Sequence, residues 1–543
     1  MHQPFVPLLL LLLGPLWYLA FRLDLLRRRT ARWALGAAAA GVIAYSVAAG
    51  GVDFVYLKRM KLGLAAATAA VVLLRGAGLL GLDGARRYRS VLAVLALAAW
   101  LVDLNFLGFH GSEGTPRTFV HLHDVAHYYL GSKYFAELGY TDLYVGMLRA
   151  EGERFNGRFK SSEARDLRTN AIVPVRELLA VGGGVKDRFT PTRWAAFQDD
   201  VTFFRRELGP QYAAIFQDHG FNPTPFWVAV GGTLANFVPA GSAVGIRLLA
   251  LLDPALEAGM FAAIVWAFGV ETMLLAMIYY CVLFGTSFGW TGGAYLRYMW
   301  LFGVVAGVCC LERRRHAIAG GLFAFATALR VFPIAFIAAI AAKALGAFVV
   351  SGRVGRPHAR FLLACAVTGL VLLLSTAWLA DGLDRWQDFR QNMQRHLETD
   401  AYNTIGLTQI VALEFPLSPG EAPGSRSAWI DRLYLVQLLL ALPLAAVFVY
   451  TRARRADDVG AAALGIVLLF AGLNLAAYYY VCLLLLVLAE RRRLPIIALL
   501  FTVEAATYTL MLFEDREPVL YLYRNILVGF LLLAVYLPVG SRQ

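Results

Sequence analysis

Residues 299–330 of the chain read MWLFGVVAGVCCLERRRHAIAGGLFAFATALR. In this stretch two apolar runs flank the basic cluster Arg313, Arg314 and Arg315. Apolar helices that cross a bilayer carry an excess of Lys and Arg in the loops on the cytoplasmic side. The stretch therefore predicts two membrane-spanning helices that run in opposite directions and are joined by a cytoplasmic turn.

The composition extends this prediction to the whole chain. Of the 543 residues, 59% are hydrophobic and only 16% are charged, whereas a soluble domain has about 45–50% apolar and about 25% charged residues. These values exclude a soluble enzyme and a disordered chain. They predict an all-α polytopic membrane protein surrounded by membrane lipids. The net charge of +13 lies mostly in clusters that orient the spans, so we expect no nucleic-acid partner.

Further apolar runs lie on both sides of the quoted stretch, and we interpret them as spans. They are residues 5–21, 33–50, 62–82, 91–109, 225–238, 256–285, 333–350 and 361–380, followed by a nearly continuous apolar region that reaches Val539. The resulting division is extra N-terminal transmembrane helices (1–90), a transmembrane core (91–490) with exterior loops 110–224 and 381–432, and C-terminal transmembrane helices (491–543).

The basic clusters orient this arrangement. If they lie in the cytoplasm, both long polar loops face the outer side of the cytoplasmic membrane. One cluster, formed by Lys58, Arg59 and Lys61, is an exception because it would face outward. The first exterior loop has apolar residues at helical spacing, such as Trp194, Phe197 and Val201. It predicts amphipathic helices on the outer surface, either as a platform beside an active site or as a simple cap.

The first exterior loop opens on His121-Leu122-His123-Asp124-Val125-Ala126-His127-Tyr128-Tyr129. In one interpretation, Asp124 is a general base that accepts the proton of an alcohol attacking an activated sugar carbon. If the leaving group is a phosphate, it needs little protonation, so one carboxylate suffices where a glycosidase uses two. In a second interpretation, His121, His123 and His127 gather a metal ion with the help of Asp124. In a third, the histidines are ordinary hydrogen-bonding groups at a water interface.

Arg330 lies where one apolar run ends and the next begins, at the predicted outer end. An arginine close to the hydrocarbon is costly and usually has an anionic partner. A lipid-linked phosphate is one such partner, because the guanidinium fork fits phosphate oxygens. Snorkelling to the interface or pairing with a carboxylate such as Asp124 is the alternative.

Several motifs together resemble those of a known enzyme class. The run His123–Tyr129, with the following Lys133-Tyr134-Phe135 and Gly139–Tyr144, resembles the first exterior loop of the GT-C glycosyltransferases. It is similar in particular to that of the polyprenyl-phosphate-mannose-dependent mannosyltransferase family. Phe221–Phe226 matches a helix start of that family, and Gly320–Pro333 matches a helix that ends in a basic residue and Pro. Tyr402–Gln409 corresponds to an Asn-Gln-Ser motif, and Tyr478-Tyr479-Tyr480 replaces a Trp- and His-rich motif.

This resemblance implies a GT-C type transmembrane helix bundle that acts as a polyprenyl-phosphate-sugar-dependent glycosyltransferase. The sugar, mannose or another hexose or pentose, would pass with inversion to a lipid, glycan or protein acceptor on the outer face of the membrane. Asp124 would be the catalytic base, and Asp103 is the runner-up because the catalytic acid of the superfamily lies close to the exit of the equivalent helix. The expected substrate-binding residues are Arg330, His123, His127, Tyr128, Lys133, Asn222, Asn403 and Gln409. We expect no metal cofactor, because arginine can stabilise the leaving phosphate.

Two other functions stay open. Glu271 and Glu504 lie in apolar runs and would form a proton path in a transporter or flippase of a lipid-linked saccharide. A metal-dependent membrane hydrolase would use the cluster of His121, His123 and His127.

Overall fold

The computed structural model of the protein describes residues 52–78, 85–111, 118–239, 241–379, 382–397, 403–411 and 435–537. Over these residues the protein is an all-α polytopic membrane protein, as predicted, with two short two-stranded sheets. Five segments are long and apolar enough to cross a membrane: Ala243–Phe268, Ile334–Ser351, Arg356–Trp378, Leu494–Phe513 and Glu517–Tyr536. The spans predicted at 5–21 and 33–50 lie outside the described residues.

The helices fall into four groups along the chain. Two described helices precede the first exterior loop: α1 (Phe54–Gly76) and α2 (Ala85–Asp103). Six lie within that loop: α3 (Leu122–Lys133), α4 (Phe135–Leu138), α5 (Leu143–Arg154), α6 (Val175–Val181), α7 (Pro191–Leu208) and α8 (Tyr212–Ile215). Nine follow it: α9 (Pro225–Phe237), α10 (Ala243–Ala250), α11 (Leu252–Phe268), α12 (Val270–Val282), α13 (Phe288–Thr291), α14 (Met299–Glu312), α15 (His316–Leu329), α16 (Ile334–Ser351) and α17 (Arg356–Leu379). The last group is α18 (Asp384–Leu397), α19 (Leu407–Val411), α20 (Leu442–Ala453), α21 (Asp458–Ala463), α22 (Gly465–Gly472), α23 (Leu484–Ala489), α24 (Leu494–Phe513) and α25 (Glu517–Tyr536).

The apolar run 256–285, predicted as one span, forms two helices. α11 and α12 meet at Gly269, whose φ of 87° is in the left-handed region that favours glycine. A single helix over these residues would be about 45 Å long, well beyond the roughly 30 Å of hydrocarbon that a span must cross. Hydropathy alone therefore detected the apolar segment but missed the break within it.

Four basic clusters of the described residues gather at one end of the bundle, those at 313–315, 343–360, 452–455 and 491–493. Arg491 donates to Glu312 at 2.7 Å, which connects the turn between α14 and α15 to the segment before α24. Asp458, at the start of α21, accepts hydrogen bonds from His316 at 2.8 Å, Lys343 at 2.6 Å and His358 at 3.0 Å, so α15, α16 and α17 all contact this carboxylate. Since α14 begins and α15 finishes at the other end, that other end holds the first exterior loop. The grouping is the one that the positive-inside pattern predicts.

The first exterior loop folds into a helical unit whose buried residues are continuous with the core of the membrane helices. As the spacing predicted, α7 buries Trp194, Phe197 and Val201. A hairpin that the sequence did not predict completes the unit, with strand β1 (Glu163–Asp166) antiparallel to β2 (Ala171–Pro174) and Ala164 opposite Val173.

A second pair of strands reaches from the second exterior loop to the C-terminal part of the core. β3 (Thr404–Ile405) pairs antiparallel with β4 (Leu475–Ala476), and Thr404 lies opposite Ala476. The backbone N–H of Ala477 also donates to the carbonyl oxygen of Asn403 at 2.8 Å. This pairing holds the chain immediately before the tyrosine run at 478–480.

The outward basic cluster at residues 58–61 is partly neutralised inside the protein. The buried Lys61 ammonium of α1 donates to the Asp103 carboxylate of α2 at 2.6 Å. A buried charge without a partner is strongly destabilising, so this pair joins the first helix to the core. One of the three charges that opposed the predicted orientation is thus accounted for.

We expect Asp103→Asn to lower the free energy of unfolding by about 3 kcal/mol, because it leaves the Lys61 ammonium buried without a carboxylate. The double variant Lys61→Met, Asp103→Leu removes both charges and should recover most of the loss. Thermal unfolding of the purified protein in detergent measures both changes. Wild-type stability in the single variant would show that the ion pair does not hold α1 against α2.

Candidate active site

The start of α3 is fixed against the segment that leads into α14. The His121 backbone N–H donates to the carbonyl oxygen of Gly293 at 3.0 Å. Gly293 has a φ of 65°, and a Cβ at this position would overlap the carbonyl oxygen of Phe119. His121 then caps α3, since its Nδ1 accepts the backbone N–H of Asp124 at 3.2 Å. Asp124 therefore lies in the first turn of a helix whose position is set by a close backbone contact.

The Asp124 carboxylate forms an ion pair with Arg297, and each side chain is 13% exposed. The backbone N–H groups of Arg297 and Tyr298 donate to the buried Asp253 carboxylate at 3.0 and 3.2 Å. Asp253 thereby holds the turn that presents Arg297 to Asp124. Sequence reasoning missed Arg297, although an arginine at the outer end of an apolar run was the signal that identified Arg330.

Arg330 lies just after α15 and is 8% exposed. Its Nη2 is 3.5 Å from the Tyr128 hydroxyl, and its Cζ is 5.8 Å and 5.9 Å from the ring centroids of Tyr128 and Tyr479. Among the described residues, no carboxylate forms an ion pair with this guanidinium. A buried cation therefore faces aromatic rings and a phenol instead of a negative charge.

Two adjacent tyrosines connect the two arginines. The Tyr478 ring lies 4.9 Å from the Arg297 Cζ, and the Tyr478 and Tyr479 ring centroids are 4.5 Å apart. We call the connected set the two-arginine cluster. It comprises Asp124, Tyr128, Arg297, Arg330, Tyr478 and Tyr479. The sequence identified the two tyrosines only as a departure from a family motif, because nothing local indicated that they face arginines.

Asn222 lies at the edge of this cluster. Its Oδ1 accepts the Tyr128 hydroxyl at 3.3 Å. Nearby, Thr224 caps α9 and donates to the carbonyl oxygen of Ala328 at 2.6 Å, close to the end of α15. The end of the first exterior loop is thus attached to the helix that carries Arg330.

His123 and His127 lie on the neighbouring face of α3. The His123 Nε2 is 3.1 Å from an Asp218 carboxylate oxygen. His127 donates through Nδ1 to the His123 carbonyl oxygen at 2.9 Å, and its Nε2 is 2.8 Å from the Tyr144 hydroxyl. Burial lowers the pKa of His127. Burial alone would raise the pKa of Asp218, but the His123 hydrogen bond and the nearby histidines hold this pKa below its usual range.

The other predicted site residues lie outside the two-arginine cluster. Asp103, the runner-up base, is paired with Lys61. Lys133 forms an ion pair with Asp200 of α7 at 2.7 Å, inside the loop unit. The Gln409 side chain donates to Thr404 at 2.7 Å.

Asn403 lines a separate cavity of about 470 Å³ between α1, α24 and α25. Lys58, Trp290 and Tyr508 also line it. The Trp290 ring centroid is 5.9 Å from that of Tyr478, so this side chain separates the cavity from the two-arginine cluster. The cavity is adjacent to the cluster without containing it.

One comparison with known proteins finds a match. The sequence model of glycosyltransferase family 87 matches residues 224–471, which is less than half of the chain. The matched segment includes Arg297 and Arg330, whereas Asp124 and Tyr478 lie outside it. No curated protein and no solved structure gives a significant match. The match supports a membrane glycosyltransferase.

We expect Arg297→Gln to lower the free energy of unfolding by about 2 kcal/mol, because it leaves the mostly buried Asp124 carboxylate without its charged donor. The matched control is Arg188→Gln. It breaks an exposed 2.6 Å ion pair with Asp142, and both residues lie in the first exterior loop. The control should lose only about 0.5 kcal/mol. Thermal unfolding of the three proteins in one detergent makes the comparison, and equal losses would contradict a structural role for the Asp124–Arg297 pair.

Proposed function

We propose, on the basis of the match to glycosyltransferase family 87 and the two-arginine cluster, that the protein is a GT-C type glycosyltransferase with a lipid-linked donor. It takes a sugar, mannose or another hexose or pentose, from a polyprenyl-phosphate donor. It transfers the sugar with inversion to a hydroxyl of a lipid, glycan or protein acceptor on the outer face of the cytoplasmic membrane. The observation that carries this proposal is the buried Arg330 guanidinium, which faces tyrosines and forms no ion pair with a described carboxylate.

Arg330 is suited to bind the phosphate of the donor. Removing a guanidinium from water costs several kcal/mol unless a partner replaces the lost hydration, and tyrosine rings replace only part of it. A phosphate accepts two parallel hydrogen bonds from the guanidinium fork and supplies the missing charge. Arg330 lies where the apolar helix α15 ends, so a prenyl chain in the bilayer can present its phosphate there.

Asp124 is suited to act as the general base. Asp124 and Tyr128 are four residues apart on α3, so their Cβ atoms lie about 5–6 Å from each other, and Tyr128 contacts Arg330. A group held by Arg330 is therefore within reach of a hydroxyl that approaches Asp124. Arg297 orients the carboxylate through the ion pair.

The reaction then has one bond-forming and one bond-breaking event at the anomeric carbon. Asp124 accepts the proton of the acceptor hydroxyl while the hydroxyl oxygen forms a bond to that carbon. The bond from the anomeric carbon to the phosphate oxygen breaks, and its electron pair leaves with the polyprenyl phosphate. Arg330 stabilises the negative charge that develops on the leaving phosphate. Attack from the face opposite the phosphate inverts the configuration.

The contacts of the intramembrane glutamates do not favour the transporter alternative. Glu504 is buried in an ion pair with Arg524 at 2.7 Å, and it also accepts the Phe284 backbone N–H at 3.0 Å. In the described part of the chain, no hydrogen bond or ion pair joins Glu504 to Glu271. A carboxylate held in a buried ion pair of this kind stabilises the fold and is poorly suited to carry protons.

We expect Asp124→Asn to reduce sugar transfer by about 10³-fold, because the amide cannot accept the hydroxyl proton. Membranes that contain the variant are incubated with radiolabelled polyprenyl-phosphate-mannose, and the labelled product is measured. The control is Asp199→Asn, which alters an exposed ion pair with Arg154 on the loop unit and should leave transfer unchanged. Wild-type transfer by the Asp124 variant would show that the base is another group.

Donor binding tests Arg330 separately from the base. We expect Arg330→Lys to weaken binding of polyprenyl-phosphate-mannose about tenfold, because a lysine keeps the charge without the fork, and Arg330→Gln to weaken it about 100-fold. Equilibrium binding to the purified protein measures both. Arg247→Gln, at an exposed arginine of α10, is the control. Equal affinity in all the proteins would exclude Arg330 as the phosphate ligand.

A further inference from the structure

Three side chains beside the two-arginine cluster converge on one point. His123, His127 and Asp218 each direct a ligand-type atom to it, and these atoms all lie within 4.8 Å of one another. His123 and His127 come from successive turns of α3, whereas Asp218 comes from the end of the loop unit after α8. Atoms bound at about 2.0 Å to a tetrahedral ion are about 3.3 Å apart, and the His123 to Asp218 separation is already 3.1 Å.

The surrounding hydrogen bonds orient these atoms as they would around a metal ion. His127 donates its Nδ1 hydrogen to the His123 carbonyl oxygen, so Nε2 of the neutral ring carries the lone pair, and the Tyr144 hydroxyl lies 2.8 Å from it. Metal-bound histidines commonly donate their second ring nitrogen in this way. One Asp218 oxygen faces His123, and the other accepts the His219 backbone N–H at 2.7 Å. The Tyr144 hydroxyl lies 2.8 Å from the His127 Nε2 and 3.1 Å from the Asp218 carbonyl oxygen, and its one hydrogen can stay on that carbonyl oxygen when an ion takes the Nε2 lone pair.

We propose that His123, His127 and Asp218 bind a divalent transition-metal ion of the zinc class. Two imidazoles and one carboxylate are a donor set that suits zinc. The His123 and Asp218 side chains are 30% and 45% exposed, so the site is open to the exterior solution, and water can complete the coordination.

The ion has a positioning role in this arrangement. It joins α3, which carries Asp124 and Tyr128, to the segment that continues from Asp218 to Asn222. Asn222 accepts the Tyr128 hydroxyl, so the bridge fixes the side of the two-arginine cluster where Tyr128 meets Arg330. The site is separate from Asp124 and Arg330, and the inference goes beyond the proposed function, since binding of the ion requires no sugar donor.

The test measures binding of the metal alone to the purified full-length protein. The protein in detergent is treated with a chelator, freed of it, and titrated with Zn²⁺ in a calorimeter. We expect one ion per chain and a rise in the midpoint of thermal unfolding, because an ion that binds only the folded protein stabilises it. Titration with Co²⁺ should give the visible absorption of a tetrahedral site with nitrogen ligands.

Matched variants assign the ligands. His123→Ala and Asp218→Asn should each weaken Zn²⁺ binding about tenfold or more, since even the loss of an outer partner costs 10–100-fold in metal affinity. His219→Ala removes an adjacent imidazole that contacts Asn170 instead of the site, and it should bind Zn²⁺ as the wild type does. Absence of Zn²⁺ binding by the wild type would overturn the proposal, and so would unchanged binding by both ligand variants. Neither result bears on sugar transfer, which the Asp124 variant tests.

Discussion

A charged group buried away from water needs a partner, and this requirement organises the membrane core of the protein. Lys61 and Asp103 join α1 to α2, and Arg524 and Glu504 join α25 to α24. Each pair is buried between two helices, so removing one partner would leave the other charge buried without its counter-ion. Arg330 differs from these cations because its described neighbours are tyrosines. Arg330, the exception, lies at the end of α15, where the proposed function places the phosphate of a lipid-linked donor.

The first exterior loop packs against the same cluster. Its buried aromatic side chains pack against α3, as Phe204 does on Tyr129, and the close backbone contact at Gly293 sets where α3 begins. On the opposite side of the cluster, the Asp253 carboxylate holds the turn that carries Arg297. The carboxylate and the two guanidinium groups of the cluster therefore come from three separate parts of the chain. We therefore keep the interpretation of this loop as a platform beside the proposed site.

The sequence predicted part of this site because part of the signal is local. Asp124 and Tyr128 were identified from one short run and Arg330 from its place at the end of an apolar run, and the structure places all three in one cluster. The assignments of Lys133, Asn403 and Gln409 rested on short motifs. The Lys133 and Gln409 side chains bond to other residues, and Asn403 lines a separate cavity. Lys133 forms an ion pair with Asp200 on α7, and no motif near residue 133 could indicate that partner. The catalytic and binding roles stay predictions until the variants are measured.

The sequence by itself determined the membrane class, the helical architecture and the common end of the basic clusters. These properties follow from hydrophobic length and charge bias, which are summed over neighbouring residues. Only the tertiary structure decided that Arg297 pairs with Asp124, that Tyr478 and Tyr479 line the gap between two arginines, and that Asp218 reaches His123. These contacts join residues that are 95 or more positions apart. They depend on how helices pack, and the periodicity of one helix contains no information on which side chain of another helix will face it.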